Sequence, residues 1–162
     1  MDTPTEDNSK MAAGIFKEIC EFSSLKYNLD TEHHDVEVIC DIPKQHGLNF
    51  EISLSLQNLD ELHIYTDGFW LEWFPCTDNG IVNSYKEAVK GLINSNARII
   101  KYSLQTGSKI AHYKSILQLR KNNKWEDSGA YYLSTFSGLL AKLLPRKVKT
   151  ETIQNTNNGA LD

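Results

Sequence analysis

Apolar and polar residues alternate most strictly over Leu48–Gln57. Leu48, Phe50, Ile52, Leu54 and Leu56 point one way, and Asn49, Glu51, Ser53, Ser55 and Gln57 the other. A period of two predicts a strand with one core face and one wet face, as in an antiparallel sheet. Val36–Ile42 alternates in the same way and predicts a strand before it, closed by Pro43 and a Gln45-His46-Gly47 turn. Asn58-Leu59-Asp60 turns the chain into a strand over Glu61–Thr66. Asp67-Gly68 then predicts a tight hairpin into the aromatic strand Phe69–Phe74, which Pro75 ends.

The period changes to 3.6 over Ser84–Ser95. Tyr85, Ala88, Val89, Leu92 and Ile93 share one face of a predicted helix, with Lys86, Glu87, Lys90 and Asn94 opposite. Ser84 and Glu87 have the spacing of a capping box. An earlier helix is predicted over Lys10–Leu25, with Ala12, Ile15, Phe16, Ile19 and Phe22 on its apolar face. Lys26–Glu32 reads as a connection. Strands are predicted again at Arg98–Gln105 and Lys109–Lys121, then in Tyr131–Phe136 and, as an edge strand, in Val148–Ile153. Leu139, Leu140, Leu143 and Leu144 predict a short helix before Pro145. The resulting order is α-β4-α-β3 with a short C-terminal helix: a single α+β domain over residues 10–153, one antiparallel sheet packed by two helices. Residues 1–9 and 154–162 read as disordered tails.

Charge sharpens this outline. Residues 1–85 carry 16 Asp/Glu against 4 Lys/Arg, a net of −12, whereas residues 86–149 carry 3 against 13, a net of +10. Either the two halves interleave and neutralise each other, or each presents a surface for a partner of opposite sign. No apolar run approaches the roughly 20 residues that span a bilayer, and the acidic start Met1-Asp2-Thr3-Pro4-Thr5-Glu6-Asp7 is unlike a secretory signal. The expectation is a cytoplasmic protein. The three cysteines, Cys20, Cys40 and Cys76, are odd in number and scattered, so buried free thiols are expected.

Catalytic chemistry finds little support. His33-His34-Asp35 is the densest histidine group, but adjacent residues on a strand point to opposite faces. His46 falls in a turn, and His63 and His112 on sheet faces, so none is expected to bind metal. The cysteines lack a neighbouring base or cation that would activate a nucleophile. There is no GxSxG, P-loop or dinucleotide glycine pattern, and Thr106-Gly107-Ser108-Lys109 reads as a hairpin turn. The expectation is no enzyme, no cofactor and no metal.

The aromatic strand is the least ordinary feature. Phe69, Leu71 and Trp73 fill one face, and Trp70 and Phe74 flank Glu72 on the other. Either another layer covers that second face, or Trp70 and Phe74 form a contact site. With Asp67, Glu72 and Asp78 around them, they would suit a basic protein partner. Asp67, Trp70, Glu72, Phe74 and Asp78 are therefore the candidate partner-binding residues.

The helix, the strand run, Gly68-Phe69-Trp70-Leu71-Glu72-Trp73, the helix Ser84–Ser95 and the Arg98–Gln105 strand with its Thr106-Gly107 turn resemble the small immunity proteins of bacterial polymorphic and contact-dependent toxin systems. That resemblance implies a cytoplasmic protein that blocks a toxin domain without catalysis of its own. The element order also resembles type III secretion chaperones, from which the aromatic strand and the basic second half depart. The rival expectation is a nucleic-acid-binding module. Lys109, Lys114, Arg120, Lys121 and Lys124, with Arg146, Lys147 and Lys149, lie among Tyr113, Trp125, Tyr131 and Tyr132, which offer stacking surfaces.

Overall fold

The hydrophobic alternation builds two antiparallel sheets, not one. The computed structural model describes residues 4–106, 108–132 and 147–156. Helix α1 spans Pro4–Phe22. It is followed by strands β1 (Asn28–Asp30), β2 (Val38–Ile42), β3 (Ile52–Gln57), β4 (Glu61–Thr66) and β5 (Phe69–Trp73). Helix α2 spans Asn79–Ile93 and leads into β6 (Ala97–Thr106), β7 (Lys109–Lys121), β8 (Lys124–Tyr132) and β9 (Lys147–Ile153). The first five strands form a sheet in chain order, and the other four form a second sheet in the order β8-β7-β6-β9. The α+β class holds, but the single sheet and the α-β4-α-β3 order do not. α2 separates the strand runs, and among the described residues each run pairs within itself.

The first sheet is a meander whose hairpins fix the register. Asp67 and Gly68 take φ of 45° and 74°, the left-handed pair that a two-residue hairpin needs. That turn sets Thr66 opposite Phe69, Tyr65 opposite Trp70 and His63 opposite Glu72. The inward residues of β2 to β5, among them Val38, Cys40, Leu54, Leu56, Leu62, Ile64 and Phe69, are buried. α1 packs on β2 and β3, and α2 bridges β5 and the second sheet at β6 and β7. One buried cluster joins residues of both helices and both sheets.

Burial follows periodicity closely in α2. Tyr85, Ala88, Val89, Leu92 and Ile93 are all buried, with Val82 added one turn earlier. The helix starts before Ser84. Asp78 is the N-cap, and its carboxylate accepts from the Gly80 and Ile81 amides at 2.7 and 3.0 Å. Ser84 lies inside the helix and instead accepts from the Trp73 indole N–H at 3.3 Å. A Cβ on Gly91 would stand 2.9 Å from that of Ala97, so a side chain there would push α2 off β6.

Other boundaries shift for identifiable reasons. α1 begins at Pro4 rather than Lys10, and Phe22 at its end is exposed, with Lys90 over its ring. β1, inside the expected connection Lys26–Glu32, has only three residues and no periodicity to reveal it. β8 takes in Trp125–Gly129, with a register shift against β7 between Leu117 and Gln118, and residues 133–136 of the strand expected over Tyr131–Phe136 lie outside the described residues. β9 is an edge strand, as expected. Asn155 is buried and donates to the Gly47 and Ile93 carbonyls, so ordered structure reaches past residue 153. The helix expected at Leu139–Leu144 lies outside the described residues.

Candidate functional site on the outer face of the first sheet

The side of the first sheet turned away from the helices is built by register. One row runs Asn28, Asp41, Ser53, Tyr65, Trp70, and the next runs Asp30, Ile39, Ser55, His63, Glu72. Gln57 and Glu61 pair beside them. These outward positions carry Asp30, Asp41, Glu61 and Glu72 and no Lys or Arg. The whole stretch from Asn28 to Asp78 holds eleven carboxylates and one cation, Lys44. The halves of opposite charge therefore place their strands in separate sheets, and they meet at ion pairs of Glu18 with Lys86 and Lys90 and of Asp67 with Lys101.

The expected contact residues divide in this setting. Glu72 is exposed, and Phe74 keeps 60% of its surface. Tyr65, opposite Trp70, is also largely exposed. Trp70 is half-buried between His63, 5.0 Å away, and Tyr131 of β8, whose ring meets it edge-on at 5.8 Å. The second strand run thus covers Trp70 and leaves Phe74 open. β8 also presents Gly129 to β5: a Cβ there would come within 2.4 Å of Leu71 Cδ2. Asp67 is salt-bridged to Lys101 of the second sheet at 2.8 Å. Asp78 spends one carboxylate oxygen on the α2 cap.

At the centre lies a feature that periodicity alone does not reveal. His63 is buried, 2% exposed, although it sits on the outward face. Its Nε2 lies 3.1 Å from Glu61 Oε2, and its Nδ1 has no hydrogen-bond partner. Asn58 donates to the same Glu61 oxygen at 2.8 Å. That bond, with the one to His63, holds the Glu61 carboxyl below its ordinary range. Behind the imidazole, the buried Tyr85 hydroxyl donates to the His63 carbonyl at 3.1 Å. Ser55, opposite His63, is also buried and accepts from Gln57 Nε2 at 2.9 Å. The two-residue turn at Asp67–Gly68 is the sequence signal that places His63 against Glu72.

A groove of about 560 Å³ opens at one end of this face, lined in part by Asp41, Glu51, Tyr65 and Asp67. On the second sheet the basic residues lie among aromatics. The Arg98 guanidinium stands 4.3 Å from the Trp125 ring centre, and Lys114 Nζ stands 5.1 Å from that of Tyr132. The three cysteines are free and buried. Burial, with Asp60 beside it, pushes the Cys76 thiol up to about 12, which leaves no thiolate at neutral pH. No described helix is long and apolar enough to cross a membrane. No protein-family model matches the chain, and neither a curated protein nor a solved structure matches it.

Proposed function

We propose that this is a non-catalytic binding protein whose acidic first sheet docks a basic protein partner, in the manner of an immunity protein that occludes a toxin domain. The observation that supports it is the segregation of charge by sheet: eleven carboxylates and one lysine between Asn28 and Asp78, with an outward face free of Lys and Arg. Tyr65 and Phe74 add exposed aromatic area within that field, with the half-buried Trp70 between His63 and Tyr131, and aromatics are the residue class that anchors interfaces. The acidic surroundings would steer a basic partner and set its orientation. A cytoplasmic location fits this reading.

The test is capture of the partner from the native host, followed by binding measurements on variants. Glu72→Lys combined with Phe74→Ala should weaken the complex by on the order of a hundredfold, the cost of losing an aromatic anchor together with a favourable charge. Unchanged affinity would overturn the assignment of this face. A second reading, nucleic-acid binding, is favoured by the gathering of cations on the second sheet. It predicts an affinity for single-stranded RNA or DNA that falls steeply with salt. The cations already stacked on Trp125 and Tyr132 count against it, because they occupy ring faces that bases would need.

A further inference from the structure

We infer that Glu61, His63 and Glu72 form a binding site for a first-row divalent ion of the zinc class, set in the middle of the acidic face. A carboxylate oxygen of each glutamate and an imidazole nitrogen of His63 all lie within 4.8 Å of one another. Donors around a tetrahedral zinc ion, with bonds of about 2.0–2.2 Å, stand about 3.4 Å apart. The widest separation must therefore close by up to about 1.4 Å, while the Glu61–His63 pair opens slightly. Glu72 is exposed and free to swing, while His63 and Glu61 are already joined at 3.1 Å.

Three features distinguish this group from an ordinary surface cluster. First, the backbone supplies the geometry. Glu61 and His63 are two apart on β4, so they share a face, and Glu72 is the cross-strand partner of His63. Second, the imidazole is buried and walled by Trp70, yet Nδ1 has no partner. A buried ring nitrogen left unsatisfied in this way calls for a ligand that the protein chain does not supply. Third, Asn58 fixes the Glu61 carboxylate from the other side, an outer contact of the kind that orients metal ligands. One imidazole with two carboxylates suits zinc or manganese better than calcium or magnesium, which favour all-oxygen shells. Three protein ligands would leave a coordination position for water or for a side chain of a docked partner.

The other histidine-rich group provides the control. His33, His34 and Asp35 are neighbours in sequence and lie in a loop, and His34 is already paired with Asp35 at 2.9 Å. It offers no buried donor.

Calorimetric titration of the full chain with zinc chloride in a non-chelating buffer tests the inference. One equivalent should bind. Glu72→Gln, a change at an exposed position, should weaken binding on the order of 100-fold, and His33→Ala/His34→Ala should leave it unchanged. His63→Ala risks the fold, so the Glu72 variant carries the test. Absence of one-to-one binding with Kd below 1 mM, or undiminished binding by Glu72→Gln, would overturn the site. The result is independent of partner binding, because zinc alone is the probe.

Discussion

At the scale of single residues, several side chains do two jobs, and the right substitution separates them. Asp78 sits near the proposed contact face and also caps α2. Asn caps a helix about as well as Asp. Asp78→Ala should therefore cost about 1 kcal/mol and lower Tm by about 2–4 °C, whereas Asp78→Asn should melt like the parent. Thermal melts of both check this, and only the Asn variant gives a fair measure of the charge in partner binding. Tyr85 is a comparable case. Its ring meets Phe16 and Trp73, and its hydroxyl reaches the His63 carbonyl at 3.1 Å. Tyr85→Phe keeps the rings packed but removes the hydroxyl's bond to that carbonyl, so denaturant unfolding should register a loss of about 1 kcal/mol. An unchanged midpoint would mean that water takes over the bond.

Elements meet at two seams, one polar and one apolar. Glu18 of α1 takes Lys86 and Lys90 of α2, the latter at 3.0 Å. The hydrogen bonds from both lysines pull the Glu18 carboxyl below its ordinary range. A lowered folded value means stability that is present at neutral pH and lost as pH falls through that value. Glu18 is about half exposed, which limits the pair to at most about 1 kcal/mol. Glu18→Gln should thus lag the parent at pH 7, with the gap in denaturant midpoint closing as pH falls below the ordinary glutamate range. The apolar seam joins β5 to β8, where Leu71 lies against Gly129. Gly129→Ala should cost about 1 kcal/mol, because the Leu71 tip must move, and combining it with Leu71→Ala should cost less than the sum. This seam also marks where sequence stops being informative. α2, the β4–β5 hairpin and β7 are legible because their period or turn chemistry is local: Tyr85 to Ile93, Asp67-Gly68, and the ends of Lys109–Lys121. β8 meeting β5 is a long-range event, signalled only by a glycine whose neighbour is unknown beforehand. The double aromatic character of β5 hinted at it, since Trp70 needed cover. His63 is legible as a sheet-face residue, but its burial depends on Trp70 lying over it, and that again needs the folded chain.

For the molecule as a whole, the decisive fact is that a modest net charge of −4 conceals two sheets of opposite sign. Averaged over the surface, such a protein would attract a basic partner only weakly. Divided as it is, it presents an acidic sheet that attracts and a basic sheet that repels, so a cationic domain would be turned toward the Tyr65–Trp70–Phe74 side before contact. The fields of such exposed charges decay over about 10 Å at 0.1 M salt, and they act mainly on encounter, with short-range packing governing escape. Stopped-flow association with the captured partner should therefore slow by roughly tenfold or more between 0.05 and 0.5 M salt, while dissociation changes little. Glu72→Lys should reduce the association rate at low salt and flatten its salt dependence. Phe74→Ala, which removes no charge, should leave the association rate nearly intact and speed dissociation. A partner whose association is insensitive to salt, or whose rate rises with it, would mean that the acidic sheet is not the docking face, and the basic sheet would then be the surface to mutate.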